Sequence, residues 1–225
     1  MRFLCLHGLG TNSKVFETQT AAIRAELGDG HTYDFVEGTK KWEKAPELGS
    51  LFSNDDDYFA YFDPRNPSEI YKAIMDLEKF IEAEGPFDGV IAFSQGASLV
   101  SSLLIKQGYL NGSATEKAAN YFKCAIFIAA GSPISLDALQ RNEVELLTEG
   151  SELRIYIPTA HIWATNDPVG PAMSAVLQAL CAPQVRHAYV HNEGHIVPGT
   201  RSPDSLRAAV NVIRRVIWDV NSASS

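Results

Sequence analysis

Two kinds of segment follow one another along this chain: short runs of apolar residues, and longer stretches in which apolar residues recur every three or four positions. The short runs are rich in β-branched and aromatic residues, which favours strands, and the longer stretches favour amphipathic helices. The pattern predicts strands at residues 2–6, 31–37, 87–92, 122–129, 160–164 and 185–190. It predicts helices at residues 14–27, 67–84, 95–108, 169–181 and 202–219.

Several of the predicted strands are apolar on both faces, as in the run Ala-Ile-Phe-Ile-Ala at 125–129. Such runs are typical of parallel strands covered by helices on both sides. We therefore expect an α/β fold, a doubly wound and mostly parallel sheet of about six strands with helices on both faces. We expect one domain over residues 1–225, with a frayed tail at 221–225.

Ser94 stands at the point where a predicted strand becomes a predicted helix. Residues 92–96 read Ala-Phe-Ser-Gln-Gly, with small residues two positions before and two positions after the serine. This is the pattern of a nucleophile elbow, in which a strained turn exposes a serine hydroxyl towards a base. Such strain costs about 1–3 kcal/mol and survives only where the fold enforces it. The sequence therefore predicts Ser94 as a nucleophile.

An acid and a base follow Ser94 in the order found in α/β-hydrolases, which is nucleophile, acid, histidine. Asp167 comes just after the strand predicted at 160–164, and His195 follows Gly194 in a loop beyond the last predicted strand. His195 would accept and later donate the proton, while Asp167 would fix its tautomer and stabilise the imidazolium.

Two neighbours offer alternatives to these assignments. His191 lies four residues before His195 and competes with it as the base. Asn166 could orient the histidine in place of Asp167, although an amide stabilises an imidazolium less well than a carboxylate does.

An oxyanion hole needs preorganised N–H donors, each worth roughly 2.7–4 kcal/mol of transition-state stabilisation. One expected donor is the backbone N–H of Gln95, directly after the nucleophile. The other is the backbone N–H of Leu9, in the loop after the first strand. Gly8 and Gly10 flank Leu9 and let the backbone approach a ligand closely.

Four segments together carry a family resemblance: LCLHGLGTN, GVIAFSQGASL, HIWATNDPV and NEGHIVP. With them the chain resembles the FSH-type serine hydrolases, small members of the α/β-hydrolase fold, from residue 2 to about residue 218. The resemblance implies either a thioesterase that releases or edits acyl or polyketide chains, or a short-chain carboxylesterase. Ala92 and Ala164 stand where the family usually has glycine, and neither change removes a catalytic group.

Two insertions, at 38–66 and 131–150, are expected to cover the pocket. The first is rich in aromatic residues, which either form an apolar wall for an acyl chain or anchor the insertion to the body of the domain. We expect the second to carry a short helix. His7 either touches the substrate or orients the oxyanion loop. The candidate pocket residues are His7, Trp42, Phe59, Ser132, Ile134 and Ile196.

The chain is acidic, with 19 Lys and Arg against 27 Asp and Glu and a net charge of −8. This balance argues against broad binding to nucleic acids or anionic membranes. No apolar stretch approaches the roughly 20 residues that span a bilayer, and we expect no signal peptide ahead of the first strand. The three cysteines are expected to be buried free thiols, so a cytoplasmic location is expected. No sequence motif indicates a metal or a nucleotide cofactor, so we expect neither.

The sequence thus predicts a serine acyl hydrolase that acts through an acyl-Ser94 intermediate. The expected substrate is an acyl or polyketide thioester on an acyl carrier protein or on coenzyme A. A carboxylesterase for small oxygen esters is the first alternative, a non-catalytic binding protein the second, and a cyclising or lyase-type use of the elbow the third. An acidic carrier protein would need a local basic patch on this acidic chain. Candidates by position are Arg65, Lys72, Arg201 and Arg207. No feature of the sequence favours a particular oligomeric state.

Overall fold

The computed structural model describes residues 1–110, 121–152 and 154–223. Its strands are β1 (Arg2–Leu6), β2 (Thr32–Val36), β3 (Lys40–Trp42), β4 (Tyr58–Ala60), β5 (Gly89–Phe93), β6 (Cys124–Ile128), β7 (Thr159–Ala164) and β8 (Arg186–His191). Its helices are α1 (Ser13–Leu27), α2 (Pro67–Glu84), α3 (Gln95–Leu110), α4 (Leu136–Gln140), α5 (Pro171–Ala179) and α6 (Pro203–Ala223). A short 3₁₀ helix covers Pro46–Leu51.

Six strands form one parallel sheet in the order β2-β1-β5-β6-β7-β8. The expected parallel α/β sheet of about six strands is thereby confirmed, and each of the six predicted strands is present. Every residue of β5 and β6 is buried, in keeping with their apolar sequences. Because all six strands run in the same direction, their carboxyl ends meet at one edge of the sheet, where ligands of such folds bind.

Successive residues of β1 point to opposite faces of the sheet and so divide the core into two layers. Leu4 and Leu6 pack on the layer that contains α2, α3, α4 and α5. Phe3 and Cys5 pack on the layer that contains α1 and α6. The sheet is therefore covered by helices on both faces.

Helix α2 shows why the predicted helices form where they do. The Asn66 side chain caps its first turn by accepting from the N–H of Glu69, and Pro67 occupies the first helical position, where a missing N–H costs nothing. Its buried residues fall at spacings of three and four, which places them in one stripe facing the sheet. These residues are Ile70, Ile74, Leu77 and Ile81.

The structure departs from the predicted elements in two places. The insertion at 38–66 contains the antiparallel pair β3–β4, whose three-residue strands are too short to show an alternating pattern. Helix α6 continues to Ala223, so residues 221–223 are helical where we predicted a frayed tail. The last two residues of that tail lie outside the described part of the chain. The insertion at 131–150 carries α4, the expected short helix.

Cys5, Cys124 and Cys181 are buried free thiols, as predicted. Burial raises the pKa of the Cys124 and Cys181 thiols to about 12. Among the described residues, no helix is both long enough and apolar enough to cross a membrane.

Candidate active site

Ser94 occupies the sharp turn between β5 and α3. Its φ of 51° lies in the left-handed region, which only two other non-glycine residues of the described chain adopt. The neighbouring strand fixes this turn: the N–H of Ser94 donates to the carbonyl of Ile128 at 3.0 Å, and the carbonyl of Ser94 accepts from the N–H of Ser98 at 3.1 Å and of Gly131 at 3.2 Å. These bonds hold a backbone conformation that is strained by about 1–3 kcal/mol.

Small residues around the turn let three segments approach one another closely. A β-carbon built on Gly96 would lie 2.7 Å from the carbonyl oxygens of Leu6 and of His7. Glycine is therefore required where α3 begins against the end of β1. Ala92 is fully buried, so its methyl group is accommodated two residues before the turn.

His195 and Asp167 complete a hydrogen-bonded chain that begins at Ser94. The His195 Nε2 lies 3.0 Å from the Ser94 Oγ, and its Nδ1 lies 2.7 Å from the Asp167 Oδ2. The side chains of His195 and Asp167 are only 7% and 3% exposed. The second carboxylate oxygen, Oδ1, accepts from the backbone N–H of Val169 at 2.8 Å. With Nδ1 donating to the carboxylate, Nε2 is left to accept the serine proton.

Asn166 holds the loop that carries His195. Its Nδ2 donates to the carbonyl of Asn192 at 2.7 Å, and its Oδ1 accepts from the N–H of Gly194 at 2.9 Å. Gly194 has a φ of +76°, a conformation that favours glycine just before the histidine. Asn166 therefore holds the backbone of this loop, and Asp167 is the residue that bonds the His195 imidazole.

His191 lies at the end of β8 and is buried. Its Nδ1 accepts from the backbone N–H of Glu193 at 3.2 Å, and burial lowers its pKa, which keeps the ring neutral. The structure brings His195, and not His191, to Ser94.

The backbone N–H groups of Leu9 and Gln95, the two expected oxyanion donors, have no acceptor in the described part of the protein. The Gln95 side chain is fully used by the scaffold, since its Oε1 accepts from the N–H of Tyr61 at 2.9 Å and its Nε2 donates to the carbonyl of Phe62 at 3.0 Å. These bonds fix the first residue of α3 and leave its backbone N–H available to a ligand.

His7 is fully buried beneath the loop that carries Leu9. Its Nδ1 donates to the carbonyl of Gly8 at 2.8 Å, and its Nε2 accepts from the N–H of Gly38 at 2.9 Å. The Tyr61 ring packs against it at 4.7 Å between centroids. The prediction that His7 lines the pocket is therefore wrong, and the alternative interpretation, that it orients this loop, fits its contacts.

Two cavities meet at Ser94 and His195, one of about 460 Å³ and one of about 250 Å³. Ser132 and Ile134 line the larger cavity, and Trp42 lines the smaller one. The remaining two candidate pocket residues, Phe59 and Ile196, line neither cavity.

The positions of Phe59 and Ile196 explain why they miss the cavities. Phe59 serves the site through its backbone, because its N–H donates to Thr11 and its carbonyl accepts from Gly10. Ile196 is 37% exposed on the loop beyond Gly194.

Several cavity residues were not found by the sequence reasoning. Val169 lines both cavities, and its position two residues after Asp167 is the signal that could have identified it. Met173 follows at the start of α5. Four more come from the two insertions, namely Phe62, Pro64, Val144 and Leu146.

Comparison with known proteins finds one matching family model and several similar proteins. The family model described as "Serine hydrolase (FSH1)" matches residues 1–205. The chain is 38% identical over 228 residues to Esterase FPY3 of Fusarium mangiferae, covering 96% of this chain and 99% of that protein. It is 25% identical to Esterase alnB of Emericella nidulans, over 92% of this chain and 93% of the relative.

Solved structures share the fold at low sequence identity. Arabidopsis thaliana SOBER1 aligns with a TM-score of 0.60 and 17% identity, over 96% of this chain and 99% of that structure. A Bacillus cereus carboxylesterase aligns with a TM-score of 0.54 and 16% identity, over 95% of this chain and 87% of its own.

Proposed function

This chain belongs to the serine hydrolase (FSH1) family, and we propose that it hydrolyses small carboxylic esters through an acyl-serine intermediate on Ser94. The observation that carries the proposal is the hydrogen-bonded chain from Ser94 through His195 to Asp167, placed at a strained elbow beside two unpaired N–H groups. Such an arrangement combines a nucleophile, a base and an oxyanion hole.

In the first half of the reaction, the Ser94 Oγ attacks the ester carbonyl carbon and its proton passes to the His195 Nε2. Asp167 stabilises the imidazolium that forms. The negative oxygen of the tetrahedral intermediate accepts from the N–H groups of Leu9 and Gln95. The bond to the leaving group then breaks, and His195 returns the proton to the departing oxygen.

In the second half, a water molecule attacks the acyl-Ser94 ester while His195 accepts its proton. Collapse of the second tetrahedral intermediate releases the carboxylic acid and restores the Ser94 hydroxyl. Since each proton taken by His195 is returned within the same half-reaction, the cycle consumes one ester and one water.

Thioester hydrolysis is the second candidate, because the same groups act on either leaving atom. A thioester held on an acidic carrier protein would need free cations near the site. Of the four basic residues considered for that purpose, three are in ion pairs: Arg65 with Asp63, Lys72 with Asp76 and Arg207 with Asp204. We therefore place small esters ahead of carrier-bound thioesters. A binding protein without catalysis would not need the strained elbow, so we place it last.

A matched pair of substrates tests the proposal: p-nitrophenyl butanoate and the butanoyl thioester of N-acetylcysteamine. We expect the wild-type protein to hydrolyse the oxygen ester, and Ser94→Ala to lose on the order of 10⁴-fold in kcat. Ser101→Ala is the control, since this serine lies in the same helix and donates to the carbonyl of Ser98.

The outcomes separate the candidates. A thioester kcat/KM at least about tenfold above that of the oxygen ester would favour the second candidate. Hydrolysis that persists in Ser94→Ala would contradict the role of Ser94.

A further inference from the structure

The two cavities that meet at Ser94 differ in size and in chemistry. We propose that the larger one binds an apolar acyl chain and the smaller one a compact, polar leaving group. The preferred substrate is then an ester of an apolar acid with a small polar alcohol. This inference rests on the proposed function and adds the substrate class to it.

The larger cavity has apolar walls supplied by both insertions, by the segment after β6 and by the start of α5. Its volume of about 460 Å³ lies within the roughly 300–1,000 Å³ typical of small-molecule pockets. The apolar residues that form its body are Phe62, Ala130, Ile134, Val144, Leu146 and Met173.

The polar groups of the larger cavity already have partners. The Ser98 hydroxyl donates to the carbonyl of Ser132 at 2.6 Å, and the Asp167 carboxylate is held by His195 and by the N–H of Val169. A polar group of a ligand placed among these walls would lose its hydrogen bonds to water and gain few in return. An aliphatic or aromatic acyl chain loses none and gains from leaving water.

The smaller cavity, of about 250 Å³, is walled by the segment from Trp42 to Leu48 and by Gln19 of α1. Glu43, Lys44 and Glu47 contribute to its lining, so it offers charged and polar groups in about half the volume of the larger cavity. The Lys44 ammonium donates to the carbonyls of Gly49 and Phe52, both at 2.6 Å, which holds this wall in place.

The chemistry of Ser94 explains why two cavities are needed. Once the Ser94 Oγ bonds to the carbonyl carbon, the oxyanion points to the N–H groups of Leu9 and Gln95. The two remaining substituents are the acyl chain and the leaving group. Leu9 and Val169 line both cavities and therefore stand between the two substituents.

Two ester series test the assignment on the full chain. One varies the acyl chain from acetate to decanoate with p-nitrophenol as the constant leaving group. The other varies the alcohol from methanol to octanol with a constant acetyl group. In the wild-type protein we expect kcat/KM to rise with acyl length and to fall as the alcohol lengthens.

Substitutions that fill one cavity give the sharper test. Val144→Trp and Leu146→Trp, both at exposed positions on the larger cavity, should each lower the ratio of octanoate to acetate kcat/KM by about tenfold or more. Val190→Trp is the matched control, because Val190 is 42% exposed against 40% for Val144 and lies on the edge strand β8. Glu47→Trp, in the smaller cavity, should change the alcohol series but keep the wild-type ratio of octanoate to acetate kcat/KM, because the leaving group is the same for both acyl chains.

The assignment is overturned if the two larger-cavity variants change the alcohol series, or if neither changes the acyl series. Failure of the proposed function looks different, since the wild-type protein would then hydrolyse neither series. Val190→Trp should keep the wild-type kcat/KM values in both series, because Val190 lines neither cavity.

Discussion

The backbone of Gly8 lies against the side chain of Ser94. A β-carbon built on Gly8 would stand 3.3 Å from the Ser94 Cβ and 2.8 Å from the ring of Phe93. The loop that carries the Leu9 N–H thus reaches the nucleophile only because residue 8 has no side chain.

Gly8→Ala should therefore damage activity without removing any reacting group. The new methyl must displace the oxyanion loop or the Phe93 ring, and a misplacement near 1 Å costs about 10²-fold in rate. We expect kcat/KM on p-nitrophenyl butanoate to fall by about that factor. Gly30→Ala is the control, since a β-carbon there meets no atom within 4 Å. Equal activity of the two variants would show that the loop is free to adjust.

The strain at Ser94 predicts a difference in stability between two inactive variants. Ala at position 94 keeps the energetic cost of a φ of 51°. Gly adopts this φ without strain, but it makes the unfolded chain more flexible, which lowers the free energy of unfolding by about 0.4–1 kcal/mol. Ser94→Gly should have a free energy of unfolding about 1 kcal/mol above that of Ser94→Ala. Urea unfolding at pH 7 measures this difference. If Ser94→Ala were the more stable of the two, the turn would not be strained.

Asp167→Asn should remove the imidazolium partner while leaving the shape of the site nearly unchanged. The amide either loses the short bond to the His195 Nδ1 or forces the other tautomer, so kcat should fall by on the order of 10³–10⁴-fold. The control is Asp204→Asn on the exposed first turn of α6. A loss of less than about tenfold would mean that another group orients His195.

His161 lies in β7, between β6 and the edge strand β8, and is buried between the Phe127 ring and the Thr159 hydroxyl. Burial, assisted by the positive charge of Arg186, lowers its pKa from 6.5 to about 3. Because the folded pKa is depressed, the unfolded chain binds the extra proton. The stability from neutral His161 is therefore complete above about pH 6.5 and is lost as pH falls towards 3.

His161→Gln should flatten this acid dependence. Urea unfolding at pH 7, 6, 5 and 4 gives the free energy of unfolding as a function of pH. Its slope should be smaller than that of the wild-type protein by up to the equivalent of one proton, about 1.4 kcal/mol per pH unit. His191 also has a pKa lowered by burial and contributes in the same direction, so some dependence should remain. An unchanged slope would mean that His161 is protonated within the folded core.

The sequence predicts most of the scaffold because its signals are local. The spacing of apolar residues in α2 and the Asn66 cap show where that helix lies in the sequence. The short apolar runs show in the same way where the six parallel strands lie. Ser94, Asp167 and His195 could be selected in the same way, since each follows a strand and all strands end at one edge of the sheet.

The cavity residues could not be predicted in this way, because lining depends on how loops fold back. Phe59 and Trp42 lie on paired three-residue strands, yet Trp42 lines the smaller cavity and Phe59 contributes through its backbone. His7 shares its loop with Leu9 but points into the core. In both cases the direction of a side chain depends on tertiary contacts, which the spacing of apolar residues in the sequence does not reveal.

The central claim is that Ser94 is an activated nucleophile, and labelling with a fluorophosphonate tests it most directly. The wild-type protein, Ser94→Ala and Ser101→Ala are treated in parallel, and the adduct is located by mass spectrometry of peptides. We predict a single phosphonyl adduct on Ser94 in the wild-type protein and in Ser101→Ala, and no adduct in Ser94→Ala. Absence of an adduct on Ser94 under conditions that label a control hydrolase would contradict the account.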